Sequence, residues 1–445
     1  MTTGRGARAR ALWAPIHRLE GNSRVLALFK LANVALAMAW GFIVTFVFVR
    51  LLPLAEFRGF LLLVAFANFT ISADFGFSTI IYARLRRFRL LGAEGSDFQP
   101  RDVAMLFAFM ALVVLIGAVA IMAGMASGHI ATQRPGLFLA FYLLAAMNIF
   151  TLLAKRALGA LDRNLLWDAI DAVRRTLCTA LLLLALFGLP ILLSVLLQIA
   201  LTLLALIAGL VAVHRVAGMR GGDWLLRGAV PATIWRDYMR DMGATMALTL
   251  SDVAAYNAPY IGIAMMTHDP RPLLVFDFVF KISRALTAVI RALTDAMMPR
   301  LTDAWHGGRP DAVRARIRRV EMLSFCAAGA LAAALLAGGE GLSALLFAGK
   351  TVLTQTELAL LGALLMGLAM LCVSTFIHTG LGRFGALLLP SLAFFALSVL
   401  SVPLGGWLAG VGDWSFATGF LLLYTAAHIV MALYHGRMLR KVARA

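Results

Sequence analysis

Between residues 25 and 436 the chain consists almost entirely of apolar stretches about 20 residues long or longer, separated by short polar breaks. No other feature limits the fold as much. A helix of about 20 residues crosses about 30 Å of hydrocarbon, and inside a bilayer a helix satisfies all of its own backbone hydrogen bonds. The stretches occupy 25–49, 57–81, 102–126, 136–158, 165–187, 190–213, 242–266, 273–298, 320–339, 357–380, 384–408 and 415–436. With 62% hydrophobic and 14% charged residues, an ordinary soluble protein is excluded. The expected fold class is all-α, a polytopic membrane protein with about twelve transmembrane helices.

The polar breaks alternate in charge. If the N-terminus is cytoplasmic, the inside segments carry 29 Lys and Arg and the outside segments 5, namely Arg50, Arg58, Arg134, Arg271 and Lys350. This asymmetry is what the positive-inside rule demands, and it places both termini in the cytoplasm. The net charge of +18 therefore reads as topology and contact with anionic membrane lipids, and no nucleic-acid partner is needed. The basic leader MTTGRGARARALWAPIHR precedes an apolar run too long for a cleavable signal, so the first run is a retained span. Cys178, Cys326 and Cys372 lie inside apolar runs without ligand spacing and imply neither disulfides nor a metal. No cofactor is expected.

The longest breaks, 214–241 and 299–319, lie on the cytoplasmic side. The first divides the chain into a basic N-tail at 1–24, an N-lobe at 25–213, an amphipathic linker at 214–241, a C-lobe at 242–436 and a basic C-tail at 437–445. Within the linker, DWLLRGAVPATIWRDYMRDM predicts an interfacial helix before span seven. Segment 340–356, EGLSALLFAGKTVLTQT, is expected to be an interfacial piece between two spans.

Span eight contains FDFVFKISRALTAVIRALTDAMMP, an apolar helix that nevertheless carries Asp277, Lys281, Arg284, Arg291 and Asp295. At about 100° per residue these five positions fall within an arc of about 80° and rise about 27 Å. One charged line along the membrane normal cannot face lipid, where each cation at mid-membrane costs about 2.5–3.5 kcal/mol. It must face a polar interior. Two readings stand side by side: ion pairs that hold helices together, with Asp277 spaced i,i+4 to pair with Lys281 within the helix and Asp252 of span seven in reach of Lys281 or Arg284, or a binding surface for an anion. The surplus of cations suits a phosphate, which Arg meets through a planar fork of donors and Lys through a point charge.

Other polar positions inside spans are weaker signals. Asp168, Asp171 and Arg175 share one face of span five, where they line an inner mouth or form an interfacial salt bridge. Asp74 lies in the inner third of span two within ADFGFS, and it and Asp252 are candidates for coupling or gating. The letters DFG there are chance, since no glycine-rich loop or HRD loop accompanies them. Asn33, Trp40, Tyr256 and Asn257 serve either as contacts for sugar hydroxyls or as helix–helix hydrogen bonds and anchors. His214, His378, His428 and His435 show no metal spacing and are assigned no chemistry.

Three stretches carry a family resemblance: RLLPLAEFRGFLLLVAFANFTISADFGFSTIIYARLRR (50–87), LAKRALGALDRNLLWDAIDAVRRTL (153–177) and ALTDAMMPRLTDAWHGGRPDAVRARIRRV (292–320). They resemble the Wzx-type polysaccharide flippases of the multidrug/oligosaccharidyl-lipid/polysaccharide exporter superfamily. Leu52 departs from the glycine usual before the first-loop proline, and Arg58 interrupts the acidic-aromatic-glycine turn. The resemblance implies two six-helix lobes around a central cavity and an alternating-access cycle in the bacterial inner membrane. It further implies a polyprenyl-pyrophosphate-linked oligosaccharide as substrate, with polysaccharide polymerase machinery as a possible partner. Lys281, Arg284 and Arg291, with Asp252, Tyr256 and Asn257, would then contact the pyrophosphate and sugars, and Asp74, Asp277, Asp295, Asp168, Asp171 and Arg175 would couple or gate. A cation-coupled multidrug antiporter is the nearest rival, although cationic substrates would be repelled by the surplus of cations. A membrane glycosyltransferase needs paired carboxylates or a large outer loop, and neither is evident. A non-transporting scaffold has no use for the charged line.

Overall fold

The computed structural model describes residues 23–72, 74, 77–91, 101–219, 221–225 and 231–444. Among these, all regular structure is helical: α1 (Ser23–Leu51), α2 (Leu54–Ser72), α3 (Phe77–Leu91), α4 (Arg101–Ala126), α5 (Pro135–Ala146), α6 (Asn148–Ala160), α7 (Asn164–Leu184), α8 (Ile191–Ala217), α9 (Pro231–Met266), α10 (Arg271–His306), α11 (Pro310–Leu346), α12 (Gln355–Gly380), α13 (Phe384–Val411) and α14 (Phe416–Arg444), with short 3-10 turns at Ala185–Phe187 and Gly221–Leu225. The basic N-tail lies outside the described residues.

Nine spans among the described residues are long and apolar enough to cross a membrane, with α5 and α6 forming one of them over Pro135–Ala160. The chain is thus a multi-pass membrane protein. The helices over spans five, seven and eight (α7, α9 and α10) are not among the nine. They are the ones that carry Asp168, Asp171, Arg174 and Arg175; Asp252 and Asn257; and the charged line.

Several boundaries differ from the sequence reading. Span two is not one helix. The Asp74 carboxylate accepts from the Ser78 backbone N–H at 3.0 Å and its hydroxyl at 2.8 Å, an N-cap that starts α3 afresh after α2 has ended at Ser72. Segment 340–356 is no separate interfacial piece, because α11 continues to Leu346 and α12 begins at Gln355. Thr354 starts α12 with a capping box shared with Glu357. The polar stretch before span seven is, from Pro231 onward, the start of α9 rather than a helix of its own. Residues 226–230 of it lie outside the described set. The C-tail continues α14.

The helices fall into two compact units, one from the described parts of Met1–Val47 and Thr70–Gly243, the other from Phe48–Phe69 and Ala244–Ala445. In the first, α8 packs on α5, α6 and α7, and α3 on α6. Its interior is tied by polar contacts. Asn33 Nδ2 donates to the Asp168 carbonyl at 2.8 Å, and Tyr142 and Thr70 share a hydrogen bond at 3.0 Å.

In the second unit, α14 packs along α12 and α13. The α13–α14 crossing is close enough that a Cβ on Gly405 would sit 2.5 Å from Phe420 Cα, so the two backbones meet where only glycine fits. Pro259 interrupts α9 without an N–H, which leaves the Ala255 carbonyl one turn back unpaired within the helix. The Ser398 hydroxyl of α13 donates to that oxygen. This is how a proline is accommodated in a span.

Cations that the charge count places outside are largely helix-end caps. Arg50 donates to the Leu345 and Leu346 carbonyls at the end of α11, and Arg58 to the Ala264, Thr267 and His268 carbonyls at the end of α9. Lys350 does the same for Val49 and Leu52 at the end of α1. A positive group at a helix C-terminus meets both unpaired carbonyls and the negative end of the dipole. Arg58, a departure from the family turn, thus has a structural use.

Candidate functional site

The charged line of α10 is divided between two roles. At one end Asp277 is fully buried, accepts from the Tyr260 hydroxyl at 3.0 Å and pairs with Lys281 one turn along. The Lys281 side chain is 13% exposed, so this cation is engaged inside the helix packing. Further along, Arg284, Arg291 and Asp295 are exposed. Arg284 lies over the Phe280 ring at 5.7 Å from its centroid, and Arg291 over Phe376 at 5.4 Å. Among the described residues neither arginine has an ion-pair partner. A cation–π contact of this kind uses none of the guanidinium's N–H donors.

Arg284 also lines a cavity of about 80 Å³ within the second unit. Asp252 and Tyr256 of α9, Thr287 of α10, Cys372 and Thr375 of α12, Ser391 of α13 and His435 of α14 contribute to its walls. The charges that act on Asp252 are Arg284 and Arg291. The space is far below the roughly 300–1,000 Å³ of ligand pockets and suits waters or a small ion. Tyr256 packs edge-on to Phe394, 5.6 Å between centroids, and so joins the apolar cluster of Ala255, Leu371, Phe394 and Met431.

The cavity thus collects Asp252, Tyr256 and Arg284 from the predicted residues. Asn257 is turned elsewhere: it is buried, accepts from Asn68 Nδ2 at 3.0 Å and donates to the Val253 carbonyl at 2.8 Å, a tie between α2 and α9.

In the first unit, Asp171 is buried and bonded on both oxygens, to Arg174 at 2.7 Å and Arg175 at 2.9 Å. Asp168 is buried against Asn33, with Lys155 Nζ at 4.0 Å. Asp74 caps α3, and Trp40 stacks on Phe141 at 6.3 Å.

Three polar features escape a reading by span. His435 accepts or donates at Nδ1 to the Ser374 hydroxyl at 2.9 Å, and Ser374 in turn contacts His378, a buried relay that opens on the cavity. Arg271 makes two 2.9 Å bonds to the fully buried Glu357. Arg174 completes the Asp171 cluster. The i,i+4 spacing of Ser374 and His378 was available in the sequence, but the partner 61 residues away was not. No group of three or more metal-ligating side chains occurs among the described residues.

By sequence, the chain matches no family model and no curated protein. By fold it is similar to solved MATE transporters. The inward-facing conformation of a multidrug resistance MATE family transporter of the MOP superfamily aligns over 94% of this chain and 99% of its own, with TM-score 0.60 and 13% identity. The outward-facing conformation of such a transporter gives TM-score 0.60 and 14% identity over 94% and 96%. A mutant of the Vibrio cholerae MATE transporter VcmN gives 0.60 and 15% over 96% and 98%. The fold is therefore that of the MATE transporters. Both conformations align equally well, so the likeness concerns architecture rather than one state.

Proposed function

We propose that this chain is an alternating-access transporter that flips a polyprenyl-pyrophosphate-linked oligosaccharide across a bacterial inner membrane, with both termini cytoplasmic. One observation carries the reading: Arg284 and Arg291, on the charged face of α10, are exposed and have no carboxylate within ion-pair distance among the described residues. Intramembrane cations left open in this way serve a ligand or an ion path. The reading also draws on the resemblance of residues 50–87, 153–177 and 292–320 to polysaccharide flippases and on the likeness of the fold to alternating-access transporters. A pyrophosphate cannot leave water for hydrocarbon without replacement of its hydration, and guanidinium forks supply donors of matching geometry. Lys281 contributes to this less directly, since Asp277 holds it. Asp252, which lines the same cavity as Arg284, is placed to answer when an anion engages that arginine.

The test is Arg284→Gln/Arg291→Gln in a strain deleted for the gene. The deletion should accumulate a lipid-linked glycan on the cytoplasmic face, and the double variant, expressed at normal level, should fail to relieve it. Full complementation by the double variant sinks the assignment. A deletion that accumulates no glycan but becomes sensitive to drugs supports multidrug antiport instead.

A further inference from the structure

On the other side of α10 lies a second basic feature. A groove of about 400 Å³ runs between α10 and α11, lined by Arg300, Arg316 and Arg319 and by Leu293, Met297 and Leu323. Its size falls within the range of ligand sites. At about 100° per residue, positions 293, 297 and 300 of α10 lie opposite 284, 291 and 295, so the groove does not share a face with the charged line. Asp295 and Glu321 point away from it by the same measure.

The groove is graded along its length. The two helices are joined by the turn at 307–309, and the three arginines lie toward that turn. Leu293 and Leu323 are each seven residues deeper than Arg300 and Arg316, about 10 Å into the span. No carboxylate lines the groove among the described residues, and the three arginines have no ion-pair partner among them. Arg316 Nε is buried without a hydrogen-bond partner. Such a donor takes its acceptor, water or a ligand atom, from outside the chain. A polar end with unmet donors and an apolar end a few carbons deeper match an amphiphile, with its phosphate at the arginines and an acyl chain along the leucines.

We infer that this groove binds an anionic phospholipid of the surrounding leaflet, and that α10 therefore has two separate basic faces, one for this lipid and one for the charged line. The inference does not depend on the proposed substrate. Purified full-length protein in nonionic detergent is titrated with phosphatidylglycerol or phosphatidylcholine and bound lipid is counted by native mass spectrometry. Phosphatidylglycerol should bind at least about tenfold more tightly, as two or more surface arginines imply. Arg300→Gln/Arg316→Gln/Arg319→Gln should abolish the preference, while Arg314→Gln, outside the groove, should keep it. Ala296→Trp, which fills the groove and leaves every arginine in place, should also abolish it, a readout that survives if the triple variant misfolds. Equal binding of the two lipids by the wild type overturns the inference, as does a preference untouched by Ala296→Trp. Inorganic phosphate competing as well as the lipid would make it a simple anion site. A groove-dependent preference for polyprenyl pyrophosphate over phosphatidylglycerol would assign it to the transported lipid instead.

Discussion

Replacing Asp277 by asparagine tests whether Lys281 belongs to the framework. Asp277 and Tyr260 are fully buried and the Lys281 side chain is 13% exposed. Removing one partner of a buried pair leaves the other charge uncompensated, at a cost of about 3–5 kcal/mol. An asparagine amide oxygen still accepts from Tyr260 and weakly from Lys281, so the lower end, about 3 kcal/mol, is expected. Lys281→Met alone strands the carboxylate and is expected to cost a similar amount, eased by the Tyr260 hydroxyl. The double variant Asp277→Asn/Lys281→Met buries no charge, since Met fills the lysine stem's volume and the Tyr260 bond remains. Its loss should be about 1 kcal/mol or less, which makes the coupling energy several kcal/mol. The assay is a double-mutant cycle on unfolding midpoints in mixed detergent micelles, with transport measured beside it. Two single losses below about 0.5 kcal/mol that simply add would refute the reasoning and return Lys281 to the pool of open cations. A stable double variant should still transport.

Ser398→Ala should cost about 1–3 kcal/mol by stranding the Ala255 carbonyl, measured as a drop in thermal midpoint. In a Pro259→Ala background the restored N–H takes that carbonyl, and the loss should fall below about 1 kcal/mol; an equal loss in both backgrounds contradicts the pairing. Gly405→Ala should lower stability by about 1–3 kcal/mol because the α13 and α14 backbones must part, whereas Gly410→Ala, with open space at its Cβ, should be close to neutral in the same melt. Asp74→Ala should cost about 1 kcal/mol as a lost cap, and Asp74→Asn much less. If Asp74→Asn is stable yet abolishes transport, the carboxylate has a coupling role beyond the cap.

Much of the architecture follows from local rules that leave few alternatives. Bilayer thickness makes an apolar run of about 20 residues a candidate crossing, a property of one segment at a time. The helical repeat likewise places Asp277, Lys281, Arg284, Arg291 and Asp295 on one face. What that face does was open, since a charge's meaning depends on who stands opposite. Tyr260 beside Asp277, Phe376 beneath Arg291 and Asn68 against Asn257 come from other helices. Ser398 answers a proline 139 positions away in the chain, and Arg271 finds Glu357 across 86 residues. No periodicity encodes such pairings, because they are chosen by how helices pack once inserted. Sequence alone determined that this chain has many apolar runs long enough to cross a membrane and a line of charge on one face of the eighth. The i,i+4 spacing offered the Asp277–Lys281 pair, but only tertiary packing decided that Tyr260 and the surrounding helices bury it while Arg284 and Arg291 stay open, for inside a bilayer a charge is either held by neighbouring groups or exposed to whatever passes.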